Sequence, residues 1–181
     1  MSNTPLARQQ FSPHLESAIN AHLKLELNAS SAYMAMSLYC QRDSVALEGL
    51  AEFFKHQAIE EREHMMGLAE YVVKRGGVAI VPHVEQPAHV FNKTQAVDGN
   101  DAKLLVETAL EMEKMVNQAL LDVHKVGSDD PHFQDFLEGI YLSEQVESIR
   151  EIAFYVTQLN KVGSGLGSHL WDQELLAKLK K

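Results

Sequence analysis

Four positions carry polar side chains on faces that are otherwise apolar. On a helical wheel at 100° per residue, Glu26 falls in the stripe of Leu15, Ile19, Leu23, Ala29, Tyr33 and Cys40. Glu61 falls in the stripe of Leu47, Leu50, Phe54, Ala58, Met65, Leu68 and Val72, with His64 one turn further on. Glu113 lies among Val106, Ala109, Leu110, Val116 and Leu120, and Gln145 among Tyr141, Leu142, Ile149, Ile152 and Val156. Taken singly, each acid is an ordinary carboxylate at the edge of a bundle, and His64 an ordinary packed histidine. Taken together, they put a ligand-type group near the middle of the inward face of every long helix. Burying an unpaired ion costs several kcal/mol even after relaxation, against a net stability of only about 5–15 kcal/mol. No lysine or arginine on these stripes offsets the acids, so a metal cation is the economical counter-charge.

The donor set narrows the metal. Carboxylate oxygens with one imidazole and no thiolate suit iron or manganese, and zinc would bind as well. Glu26 with Glu61-x-x-His64 is half of the set found in di-iron carboxylate bundles. The other half is Glu113 with Gln145 and Ser148, where a second Glu-x-x-His would otherwise stand. The predicted site is therefore asymmetric, with metal held tightly on the His64 side and loosely on the Gln145 side. A loosely held ion can move on after oxidation, as storage requires.

Long helices must position these groups. Ser12-Pro13 reads as an N-cap followed by proline at the first helical position, and opens a helix over 13–41. Ser44 offers a second cap, for a helix over 45–75 that Gly76-Gly77 ends. Residues 77–99 hold Pro82 and Pro87 without a helical period and read as a crossover. Asn100 caps a third helix over 101–126, and Asp130-Pro131 opens a fourth over 131–162. Gly163-Ser164-Gly165-Leu166-Gly167 breaks it before a short fifth helix over 168–180. After an N-terminal extension (1–11), the chain is thus read as one all-α domain: a four-helix bundle with one long crossover and a short C-terminal helix.

The bulk composition agrees. The 181 residues fit one domain with one sizeable core. The apolar fraction of 45% and charged fraction of 23% are those of an ordinary globular protein. A net charge of −9 argues against nucleic acid and anionic membranes as partners. Cys40 is the only cysteine, which excludes an intramolecular disulfide or a thiolate cluster. There is no apolar run of eighteen residues to suggest a membrane span. The opening MSNTPLARQQ lacks the apolar core of a secretory signal. A cytoplasmic location is expected, or a plastid stroma if a transit peptide was removed.

The segments LELNASSAYMAMS, EEREH, MEKMVNQALLDVH, DPHFQDFLE and YLSEQVESI resemble, in order, the helix motifs of eukaryotic-type heavy-chain ferritins. The resemblance runs from about Phe11 to Leu176. It implies iron storage with ferroxidase activity: oxidation of Fe(II) by dioxygen and deposition of Fe(III) mineral inside a shell of twenty-four subunits. It implies that Glu26, Glu61 and His64 hold one iron, that Glu61 bridges, and that Glu113 and Gln145 hold the second. Tyr33 would hydrogen-bond the site and supply an electron. Asp135 and Glu138, with His124 nearby, match the acidic channels that admit iron, and Leu166, Leu170 and Glu174 match the fourfold channel. Glu60 and Glu63 match inner-surface acids that nucleate mineral, although Met66 stands where animal heavy chains often carry another. Glu147 replaces a residue that is often basic there, and with Glu60 and Glu144 it suggests an additional iron site. Met34, Met36, Met65, Met66, Met112 and Met115 read as filler rather than a haem box.

Two competing functions are weaker. A di-iron oxygenase or peroxidase of the rubrerythrin type would want the missing second Glu-x-x-His, and often a cysteine module. An inert helical bundle would have no use for acids on its core stripes.

Overall fold

The computed structural model describes residues 5–85 and 99–180. Most of the expected crossover, 86–98, lies outside the described residues. The described chain is all helical: α1 (Pro13–Cys40), α2 (Glu48–Lys74), α3 (Asp101–Val126), a fourth rod α4 spanning residues 131–162, and α5 (Leu166–Leu179). The rod α4 is continuous but changes pitch, with an α-helical start (Pro131–Phe136), a π-helical turn (Leu137–Leu142) and a long α-helical remainder (Ser143–Val162).

The helix ends follow local chemistry. Ser12 Oγ accepts from the Leu15 amide at 3.0 Å, and Pro13 fills the first turn. Asn100 and Asp130 cap α3 and α4 in the same way, through the amides of Lys103 and Phe133. The C-terminus of α2 closes in a Schellman arrangement, with Gly76 N–H on Val73 O and Gly77 N–H on Val72 O. Its αL residue is Gly76, at φ +75°.

Two boundaries differ from the sequence reading. Ser44 does not cap α2. Residues 41–47 form a turn in which Ala46 adopts φ +53° and Leu47 N–H returns to Cys40 O, so the helix starts at Glu48 rather than Val45. Its first amides are capped instead from α5, where Asp172 accepts from Gly49 N at 3.0 Å and Leu50 N at 2.8 Å. A Cβ on Gly49 would sit 2.1 Å from Asp172 O, so glycine is required there. The fifth helix starts at Leu166, two residues before the predicted Ser168, because Gly165 at φ +75° already turns the chain.

α1 packs along α2 and α3, α3 along α4, and α5 against α2. The core is in two parts. Near α5, one apolar cluster includes Tyr33, Met36, Leu50, Phe54, Ala58, Leu105, Ala109, Ile152 and Trp171. At the other end, a second includes Phe11, Leu15, Ile19, Leu23, Ala29, Leu68, Val116, Leu120, Phe133 and Tyr141. Along the chain, Glu61 falls between Ala58 of the first cluster and Leu68 of the second. Glu113 falls between Ala109 and Val116, and Gln145 between Ile152 and Tyr141. A polar layer thus separates two apolar ones.

Candidate metal centre

The polar layer is buried. Glu26 is 1% exposed, Glu61 4%, Glu113 2% and Gln145 4%. Among the described residues, the ion pairs of Glu26 and Glu61 are with imidazoles, not with lysine or arginine. One ligand atom each from Glu26, Glu61 and His64 lie within 4.8 Å of one another, close enough to surround a single ion. His64 Nδ1 faces the acids, 3.7 Å from Glu61 Oε2 and 4.0 Å from Glu26 Oε2. Its other nitrogen, Nε2, lies 3.0 Å from Glu144 Oε2. That outer carboxylate engages one ring nitrogen and leaves Nδ1 facing the acids, an arrangement common around ligating histidines.

The π-helical turn of α4 serves the same histidine. It carries Tyr141, whose hydroxyl donates to His64 O at 3.1 Å and whose ring packs 5.4 Å from the imidazole. A Cβ on Gly67 would come within 2.6 Å of that hydroxyl, so glycine makes room for the contact.

Glu113 is treated differently. Tyr33 donates its hydroxyl to Oε1, and Gln145 Nε2 donates to Oε2 at 2.9 Å. Tyr33 is itself stacked on Phe54. Buried atoms without a hydrogen-bond partner include Glu26 Oε2, Glu61 Oε2 and Gln145 Oε1, all in this layer. Buried oxygens left bare are rare and costly. Here they point to a cation that the apolar surroundings do not supply.

The ionisation of the layer fits the same picture. Burial pushes Glu61 up to about 8; the His64 hydrogen bond opposes this and the Glu26 carboxyl adds to it. Burial also raises Glu26, against hydrogen bonding from Glu61 and attraction by His64. Glu113 is pushed up to about 7 by burial and by Glu61. Burial alone would lower His64, but Glu61, Glu26 and Glu144 outweigh it and raise the imidazole to about 10. Without metal, the layer therefore retains protons that an incoming cation must displace.

The other predicted positions separate into groups. Glu60 and Glu144 meet side by side. Burial and Glu144 push Glu60 up to about 7, while Glu147 lies one turn beyond Glu144 and is exposed. Asp135 and Glu138 are exposed on α4, and His124 Nε2 lies 2.6 Å from Glu138 Oε1. The sequence reading missed His22, which is 2% exposed, with Nε2 2.6 Å from Glu26 Oε1. Its position four residues before Glu26 on the same stripe was the available signal.

Fold and site together define a ferritin-like protein: a helical bundle with an acid- and imidazole-lined candidate metal centre in its core. Residues 16–162 match the model of the Ferritin family, the ferritin-like domain. The chain is 44% identical over 173 residues to Ferritin-3, chloroplastic, of Arabidopsis thaliana, covering 94% of this chain and 66% of that one. It is 43% identical over 173 residues to soma ferritin of Lymnaea stagnalis, covering 94% and 95%. It thus spans about two thirds of the plant relative's length and nearly all of the snail protein's. The crystal structure of ferritin from the green alga Ulva pertusa superposes with a TM-score of 0.90 at 37% identity, covering 98% of this chain and 90% of that one. The chain belongs to the ferritin family, the iron-storage proteins.

Proposed function

We propose that this chain is a ferroxidase that oxidises Fe(II) with dioxygen at a paired-iron centre and stores the product in a homo-oligomeric shell of 24 subunits. The observation that carries this reading is the pair of bare, buried oxygens on Glu26 and Glu61, facing His64 Nδ1. Glu26, Glu61 and His64 hold the first Fe(II). Glu61, Glu113 and Gln145 hold the second, with Glu61 between the two. Each Fe(II) gives up one electron, and dioxygen takes both with two protons to leave as hydrogen peroxide. Tyr33, bonded to Glu113, stands where it can supply one electron toward dioxygen in place of a missing second Fe(II), giving up its phenolic proton as it does so. The Fe(III) product hydrolyses, releases protons and migrates inward to mineral. The protein's part is to position and neutralise charge; the redox chemistry is the metal's.

Iron reaches the centre past Asp135, Glu138 and His124. Glu60, Glu144 and Glu147 form a waiting position for a third ion on the way in or out, supported by the contact between Glu60 and Glu144. The compartment is a plastid or the cytoplasm, a reading supported by the chloroplastic names among the relatives.

Size-exclusion and an aerobic iron test check the reading together. Elution at several hundred kilodaltons is expected, and added ferrous salt should give a clear amber solution. A monomer or dimer, or a rusty precipitate at the rate of a protein-free control, would contradict it.

A further inference from the structure

We infer that His22 is a positioning residue of the metal centre: its Nε2–H holds Glu26 Oε1, so that Glu26 meets the ion through Oε2 alone. The inference rests on the metal-centre reading above.

The geometry is specific. His22 and Glu26 are one turn apart on α1, both side chains are 1% exposed, and Nε2 lies 2.6 Å from Oε1. The other oxygen, Oε2, has no partner and is the one that faces His64 Nδ1, at 4.0 Å. One oxygen is therefore occupied from behind and the other is presented to the ion.

His22 has no visible packing reason to be histidine. It lies on the stripe of Ile19 and Leu23, both fully buried, where an aliphatic side chain would pack without polar atoms. Its Nδ1 is buried without a partner, so the ring makes one polar contact in exchange for burying two nitrogens. That contact is with a predicted ligand. Outer groups that orient a ligand commonly change metal affinity about 10–100-fold.

The consequence is a coordination number. A carboxylate free to swing can close on an ion with both oxygens. Glu26 held at Oε1 cannot, and the ion beside His64 keeps a position open for a further ligand.

Cobalt(II) under anaerobic conditions serves as the probe, read by its visible spectrum, by titration and by crystal structures of the loaded shell. His22→Gln keeps an N–H donor at similar reach; His22→Leu and His22→Met remove it while filling the space. In the parent protein and His22→Gln, Glu26 is expected to bind cobalt through one oxygen, with matching spectra and affinities within about threefold. In the donor-free variants, Glu26 should rotate or bind with both oxygens, the spectrum should change, and affinity should shift by at least about tenfold. The apo melting temperature of each variant confirms a folded shell, and the methionine variant substitutes if the leucine one does not assemble. An unchanged Glu26 or unchanged affinity in a folded donor-free variant overturns the inference, as does a glutamine variant that behaves like leucine. Parent protein that takes up no cobalt between Glu26, Glu61 and His64 overturns the metal-centre reading itself.

Discussion

On the His64 side of the centre, Glu26 and Glu61 each keep one buried oxygen without a hydrogen-bond partner. On the Gln145 side, both oxygens of Glu113 are already occupied, by Tyr33 and by Gln145. The carboxylates of both sides are buried, so solvent at the acids is not the difference. The first side is arranged at a cost that retained protons offset in the metal-free protein and that a cation would relieve by displacing them. On the second side the Glu113 carboxylate is satisfied without one, although Gln145 Oε1 beside it is bare, and an ion arriving there must displace or share two hydrogen bonds, each worth about 1 kcal/mol net and more when an acceptor is charged. Tight capture on one side and easy release on the other follow from hydrogen bonding as much as from ligand count. A storage protein benefits from that imbalance, since its product has to leave the centre.

The comparison can be broken most completely at Glu61, the residue common to both sides. Glu61→Ala should lower the initial rate of oxygen-dependent Fe(II) oxidation about a hundredfold or more, a loss larger than that of a supporting residue. Stopped-flow absorbance of the shell with added ferrous ion measures it. His64→Ala should act on one side only. Anaerobic titration should show the tighter class of ion weakened by about ten- to a hundredfold and the weaker class unchanged. Equal weakening of both classes would mean that the sides are not independent.

These acids were legible because a charge on an apolar stripe is conspicuous at helical period. Glu61, Glu113 and Gln145 fall between the two core clusters, and Glu26, flanked on α1 by Leu23 and Ala29 of the second, comes within reach of Glu61 and His64. The asymmetry was also legible from Gln145 and Ser148, but its second cause was not. No periodicity announces that Tyr33 and Gln145 converge on one carboxylate from different helices. His22 was overlooked because a histidine on a core stripe reads as packing until its partner is known. The start of α2 was misplaced for a related reason: Ser44 is a local signal, whereas the operative cap, Asp172, arrives from more than a hundred residues away. The π-helical turn, which brings Tyr141 onto His64, has no marker in the residues 137–142 themselves.

Gln145→Glu sharpens the comparison from the other direction. A carboxylate in place of the amide removes the donor to Glu113 and adds a ligand, so the weaker class of ion should bind about tenfold more tightly. Iron should also clear from the centre more slowly after the first turnover. Titration and a second addition of Fe(II) read the two effects. Unchanged binding would show that Gln145 does not face the second ion.

The smallest effect is on stability against pH. Glu61 and Glu113 have folded-state pKa values near 8 and 7, above the ordinary carboxyl value. Between the unfolded value and these, the folded state binds more protons than the unfolded chain, so stability falls as pH rises through the window. The His64 imidazole, raised to about 10, adds stability that is present at low pH and also lost on the way up. The melting temperature of the metal-free protein should therefore drop between about pH 5 and about pH 8. The drop should be a few degrees shallower in Glu61→Gln, and calorimetry across that range reads it.

The central claim is that the buried acids exist to hold paired metal. Crystals soaked in Fe(II) without oxygen, with anomalous data collected at the iron edge, test it directly. Two peaks are predicted inside the bundle: a stronger one bounded by Glu26, Glu61 and His64, and a weaker one bounded by Glu61, Glu113 and Gln145. Iron confined to the exposed acids Asp135 and Glu138, with none between Glu26 and Glu113, would contradict the account.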